Sequence, residues 1–177
     1  MSDSTRPEPF SHYVDTRKVF SQKGIFEGPL AKERLERLRE LAVEGPFAVE
    51  AHLEFSLDKR GRRLIEGWAK ATVAVACQRC LQPLELAVAD DIRLALVSDE
   101  EKAAALDEDV EPWIESEFRL DPASIVEEQL LLAMPLVAYH EQQDCTIRSP
   151  SETALQGSVA HEKDDSPFAV LRELKLS

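Results

Sequence analysis

Apolar and polar positions along the chain change period near residue 46, and that change divides two kinds of element. From 29 to 44, Leu30, Ala31, Leu35, Leu38, Leu41 and Ala42 recur every three to four residues, the spacing of one apolar helical face. Gly45-Pro46 follows as a stop signal, so a helix is predicted over 30–43. From 47 the period falls to two: Phe47, Val49, Ala51, Leu53, Phe55 and Leu57 alternate with polar or small residues. That is the pattern of a half-buried strand with one wet face. Asp58-Lys59-Arg60-Gly61-Arg62 supplies turn residues and a glycine able to take positive φ, so a second antiparallel strand is predicted over 63–76. A third fits 84–96, where Leu84, Leu86, Val88, Ile92, Leu94 and Leu96 share one phase.

Weaker patterns flank this centre. Residues 14–26 mix Val19, Phe20, Ile25 and Phe26 with basic and small residues and read as a short irregular strand. The acidic stretch 98–111 contains Lys102-Ala103-Ala104-Ala105-Leu106, which suits either a short helix or a loop. Asp121-Pro122 is a helix start, with an N-cap carboxylate and proline at the first helical position, and the helix is expected to reach about 133. Glu127 and Glu128 are read as favourably placed toward the positive end of its dipole. Residues 149–165 are rich in Ser, Glu, Gly and Asp, the composition of a flexible linker. At 166–177, Ser166-Pro167 opens a short apolar-faced helix. The expected organisation is a flexible leader over 1–13, one domain over 14–148, the linker, and the terminal helix. Strands in succession without βαβ alternation predict an α+β fold, an antiparallel sheet carrying packed helices.

The 177 residues suffice for one domain with a real core. No signal peptide opens the sequence, and the longest apolar run, 130–138, is broken by Pro135, too short to cross a bilayer. The cytoplasm is the expected compartment, with neither a membrane nor a small-molecule substrate as partner. A formal charge of -13 argues against coating nucleic acid by bulk electrostatics. The charge is uneven: residues 1–80 carry 14 Lys and Arg against 12 Asp and Glu, whereas residues 81–177 carry 7 against 22. Any RNA contact is therefore expected in the first half.

Cys77-Gln78-Arg79-Cys80 is the most informative local feature, because two thiolates three positions apart can face one metal ion or each other. Zinc needs two further ligands, and His140 and Cys145 are the remaining nitrogen and sulfur candidates that lie near one another in sequence. Together the four would make a Cys3His set tying the carboxyl-terminal segment to the sheet. The plainer alternatives are that the thiols are small buried apolar groups, that His140 is a surface residue, and that the site has lost its metal. A thioredoxin-type use is disfavoured, since such a motif starts a helix in a βαβ setting and here strands flank it and Pro83 follows. No Gly-rich phosphate loop, Gly-x-Ser-x-Gly elbow or His-Glu-x-x-His helix is present. A non-enzymatic role is expected. The acidic pairs, Glu127-Glu128 among them, read as solvated surface.

Lys59, Arg60, Arg62 and Arg63 form the one dense basic cluster and are the candidate RNA contacts, with Arg34, Arg37 and Arg39 behind them. Charges at a hairpin tip also serve solubility alone. Trp68 lies in the phase opposite to Ile65, Val73 and Val75, either as a stacking platform for a base or as part of a second packed face beneath a helix.

Three segments in register then carry a resemblance: Cys77-Gln78-Arg79-Cys80-Leu81-Gln82-Pro83 after an alternating strand; Val126-Glu127-Glu128-Gln129-Leu130-Leu131-Leu132-Ala133-Met134-Pro135 before His140 and Cys145; and Ser166-Pro167-Phe168-Ala169-Val170-Leu171 with Leu174-Lys175. From about 15 to 176 the chain resembles the YceD-type large ribosomal RNA accumulation proteins. The resemblance implies a role in synthesis, processing or stability of the large-subunit ribosomal RNA, with that RNA or its assembly and processing proteins as partners, and it implies no catalytic residue. Some branches of that family carry a second cysteine cluster where this chain has His140 and Cys145. An acidic protein can also act on RNA indirectly, as an adaptor that holds a basic partner and never touches the transcript.

Overall fold

The computed structural model describes residues 7–10, 13–107, 109–141 and 144–145. Residues up to His140 form one compact unit and those from Glu141 onward another. The expected linker at 149–165 and the terminal helix at 166–177 lie outside the described residues.

The first unit is built on a five-stranded sheet in the order β2-β3-β4-β5-β6. Three long strands, β3 (Ala42–Leu57), β4 (Arg63–Ala76) and β5 (Pro83–Val97), are antiparallel neighbours. β2 (Ile25–Pro29) adds an antiparallel edge, and β6 (Glu111–Ile114) lies parallel to the far end of β5. The sheet is thus mostly antiparallel, as the alternation implied, and the fold is α+β.

The core lies on the face where the apolar phases meet. Val49, Ala51, Leu53 and Phe55 of β3, Ile65, Ala69, Ala71 and Val73 of β4, and Ile92, Leu94 and Leu96 of β5 are all buried there. Phe55 receives Phe20 and Phe26 edge-on, at centroid distances of 5.3 and 5.5 Å. Against this face packs the helix α4 (Pro122–Ala133), which buries Ile125, Val126 and Leu130. Its start is as the sequence implied: Asp121 caps the Ala123 N–H at 3.0 Å with Pro122 in the first turn.

Three segments depart from expectation. The helix predicted over 30–43 is a 3-10 turn (Lys32–Arg34) followed by a short α2 (Glu36–Leu41), parted at Leu35 by a non-helical backbone. Both geometries return a side chain to one side about every three residues, so Leu35 and Leu38 are buried either way. Gly45-Pro46 does not stop a helix. Ala42 already pairs with Val75, and the register slips between Ala42 and Phe47, so the pair forms an irregularity inside β3. Gly45 has a φ of 148°, and a Cβ there would stand 2.6 Å from the Ala74 Cβ. The irregular strand expected over 14–26 is instead β1 (Val14–Asp15), a helical turn α1 (Thr16–Val19) and β2. β1 pairs with β7 (Arg119–Leu120). Within the leader, Glu8 bridges Phe26 and Phe10 packs on its ring. The stretch left open at 98–111 contains α3 (Glu100–Ala104), capped by the Asp99 side chain on the Lys102 N–H.

Glu127 and Glu128 are not the solvated pair expected. Glu127 is buried, and its Oε1 accepts the Leu38 N–H at 3.1 Å, while Glu128 pairs with Arg37 and Arg34 holds Asp121 through two bonds at 2.6 and 2.8 Å. These contacts fasten the 3-10 turn and α2 to α4 and its cap. Glu127→Ala is expected to leave the Leu38 N–H unpaired and to cost about 2 kcal/mol, whereas Glu127→Gln, which keeps an acceptor oxygen, should cost less than about half of that. Urea midpoints at pH 7 for the two variants check it.

Candidate metal centre

The Cys77-x-x-Cys80 segment forms the turn between β4 and β5. The Leu81 N–H returns to the Cys77 carbonyl at 2.8 Å, and the Cys77 N–H bonds the Gln82 carbonyl at 2.9 Å. Leu81 takes a left-handed φ of 62° that closes this turn. Both thiols are buried. The motif thus leads into a strand, and among the described residues no helix starts at Cys77, unlike the helix-opening setting of a thioredoxin-type nucleophile.

The residues after α4 return to this knuckle. The Gln78 N–H bonds the Ala138 carbonyl at 2.9 Å, the Gln78 side chain donates to the Leu136 carbonyl at 3.2 Å, and Arg79 donates to the His140 carbonyl at 2.8 Å while its guanidinium lies 5.6 Å from the Tyr139 ring centre. His140 is thereby set beside the thiols. Its Nε2 lies 2.9 Å from the Pro83 carbonyl, which can only accept, so Nε2 carries a hydrogen and Nδ1 is the nitrogen turned to Cys80 Sγ, at 3.4 Å. A carbonyl fixing the tautomer of a ligating imidazole is the usual outer-layer arrangement of a metal histidine.

The ligand atoms of Cys77, Cys80 and His140 lie within 4.8 Å of one another, close enough to share one ion. Burial pushes the Cys77 thiol up, but the N–H groups of Cys80, His140 and Arg79, with the Cys80 side chain, outweigh it and hold it down to about 5. The bond with Cys80 first, and then the Pro83 carbonyl, raises His140 from its ordinary value. The pocket thus favours thiolate, the form that binds metal. Two sulfurs and an imidazole nitrogen with its tautomer fixed form a donor set that suits zinc. Cys145 belongs to the second unit, where its N–H bonds the Glu141 carbonyl at 3.2 Å, and its side chain is buried.

At the β3–β4 tip the basic cluster divides in two. Asp58 accepts the N–H groups of Arg60 and Arg62 at 2.8 Å each and pairs with the Arg62 side chain at 2.7 Å, a contact that holds the Asp58 carboxyl below its ordinary value. Arg62 also bonds Asp107 at 2.7 Å, and Arg63, half-buried, lies 5.9 Å from the Phe20 ring centre. Lys59 and Arg60 are exposed, the latter 3.5 Å from Asp107. Arg34 and Arg37 are engaged with α4, and Arg39 is exposed. The acidic partners Asp107, Asp121 and Glu128 are 45 to 91 residues away in sequence from the arginines they hold, so no local pattern exposes these pairings.

Among the described residues no helix is long and apolar enough to cross a membrane. No solved structure matches the chain. A family model described as large ribosomal RNA subunit accumulation protein YceD matches residues 65–175. The chain is also similar to the large ribosomal RNA subunit accumulation protein YceD of Haemophilus influenzae, at 30% identity over 165 residues that cover 92% of this chain and 94% of that one. A match of that reach takes in the sheet, the knuckle and α4 together, and the chain belongs to the YceD family.

Proposed function

We propose that this protein supports accumulation of the large-subunit ribosomal RNA as a non-enzymatic, cytoplasmic factor. The observation that carries the reading is the near full-length similarity to a relative bearing that function in its name. Zinc is the proposed resident ion, held by Cys77, Cys80 and His140. Cys145 is the proposed fourth ligand: it follows His140 by five residues, and five extended residues span up to about 17 Å. Zinc there would be structural, with four protein ligands and no open position for substrate.

Whether the protein touches RNA turns on the hairpin tip. Three of its four basic residues are engaged, Arg60 and Arg62 by carboxylates and Arg63 against Phe20, which favours the adaptor reading, in which the RNA is reached through a basic protein.

A strain lacking the gene is expected to show less mature large-subunit RNA relative to small-subunit RNA, with precursors or deficient large subunits accumulating. Under the adaptor reading, a Lys59→Ala/Arg60→Ala variant restores both. Unchanged RNA levels across several growth conditions would overturn the function, and failure of that variant alone would restore direct RNA contact.

A further inference from the structure

The sheet has a second face, and over most of its area no described element packs on it. Register defines its rows: Glu27, His52, Trp68 and Asp91 lie side by side, as do Pro29, Glu50, Lys70 and Ala89. Beyond them come Ala48, Thr72 and Ala87, then Ala74 and Glu85. Among the described residues no helix packs over Trp68. Trp68 instead stacks on His52 with centroids 6.3 Å apart, and Lys70 lies 4.7 Å from its ring centre. Ala48, Glu50, Lys70, Ala87, Ala89 and Asp91 are exposed. Near Leu64 and Ala95, by contrast, the same face is closed by Val110 and Leu106.

The open part combines two properties. Ala48, Thr72, Ala87 and Ala89 line a shallow groove of about 360 Å³ with Glu50 and Lys70 beside it. Around it the face carries Glu27, Glu50, Glu54, Glu66, Glu85 and Asp91 against Lys70 and Arg93. His52 bridges Glu27 and Glu54 at 3.2 and 3.0 Å, and Arg93 is taken by Glu66 and Asp109, leaving Glu50, Glu85 and Asp91 as exposed carboxylates around the groove.

From this face we infer a docking surface for an extended, lysine- and arginine-rich protein segment. Small side chains leave room for aliphatic stems to lie along the sheet, and carboxylates at the margins meet the charged heads. Lys70 already takes this pose in miniature, its ammonium over the Trp68 ring. RNA does not fit: its phosphates would meet a face with three carboxylates for each cation. The inference deepens the adaptor reading by giving its partner a chemistry and a place, yet it can stand or fall without it, since binding is measured on the isolated protein.

The test uses the full chain and two probes, a peptide of about ten lysines and an oligouridylate of about ten nucleotides, by titration calorimetry in about 0.1 M salt, where the screening length is about 10 Å. The lysine peptide should bind. A Glu50→Lys/Glu85→Lys/Asp91→Lys variant should weaken it at least about tenfold, and a control variant with the same charge change elsewhere, Glu33→Lys/Glu36→Lys/Glu40→Lys, by no more than about twofold. A Glu50→Gln/Glu85→Gln/Asp91→Gln variant, which places no like charge opposite Lys70, should show a smaller loss in the same direction and serves if the reversal does not fold. Equal losses in the face and control variants would reduce the effect to net charge and overturn the inference. So would binding of the oligouridylate that the face variants abolish.

Discussion

Serine at both Cys77 and Cys80 is expected to abolish zinc binding and to lower the thermal midpoint by roughly 10 °C. Two of the three proposed sulfur ligands are then gone, and His140 with Cys145 supplies only half of the tetrahedral set that a structural zinc needs. An ion that binds only the folded chain stabilises it in proportion to the logarithm of its excess over the dissociation constant, about 4 kcal/mol at a thousandfold excess. In a protein of this size each kcal/mol moves the midpoint by about 2–4 °C. Both thiols are buried, so serine also buries hydroxyl groups. Alanine at the same positions separates that cost from the loss of metal. Wild-type protein stripped with a chelator should melt where the alanine variant does, and protein purified without added metal should carry one zinc by elemental analysis. A wild-type midpoint indifferent to both chelator and added zinc would leave the cluster as two buried thiols beside a half-buried imidazole, with no ion.

Gly67→Ala is expected to be the most damaging single methyl addition to the sheet, at about 3 kcal/mol, the upper end of overpacking costs. Gly67 pairs with Leu53 on one side and Ile92 on the other in the middle of the three long strands. A Cβ there would stand 1.8 Å from the His52 carbonyl oxygen and 3.1 Å from the Leu53 Cα. Both neighbours are backbone, so relief requires β3 and β4 to part where their ladder is continuous. The urea midpoint should fall, and amide exchange should quicken at 52–54 and 66–68 before it does elsewhere. A loss under about 1 kcal/mol would mean that a small strand shift absorbs the methyl group.

The central sheet was legible because its signal is short-range. Alternation in 47–57 and the single phase of 84–96 need only period two and a turn, and the observed β3, β4 and β5 follow that reading closely at the 63–76 strand and within a few residues elsewhere. The cap at Asp121-Pro122 is equally local. The segment before β3 was less legible, because a 3-10 turn and a short α-helix bury Leu35 and Leu38 with nearly the same spacing as one long helix. What ended the helix early was Ala42 pairing with Val75, a bond to a strand more than thirty residues away.

The candidate centre divides along the same line. Its residue types and the knuckle could be read from Cys77-Gln78-Arg79-Cys80, since two thiols three apart in a turn need no other part of the chain to be recognised. Spacing alone could not say that His140 turns its Nδ1 toward Cys80; that depends on Ala138 meeting Gln78 and on the Pro83 carbonyl taking Nε2. Nor could it show that Arg62 is neutralised by Asp107, that Glu127 is buried beneath α2, or that Trp68 stacks on His52 with Lys70 over its ring. The sequence by itself determined which faces are apolar and where turns fall, because those follow from side-chain period and backbone preference within a few residues. Only the tertiary structure decided which charges are spent internally and which remain on the surface, because a charge is paired by whichever residue the fold brings within about 3 Å, and sequence distance does not govern that.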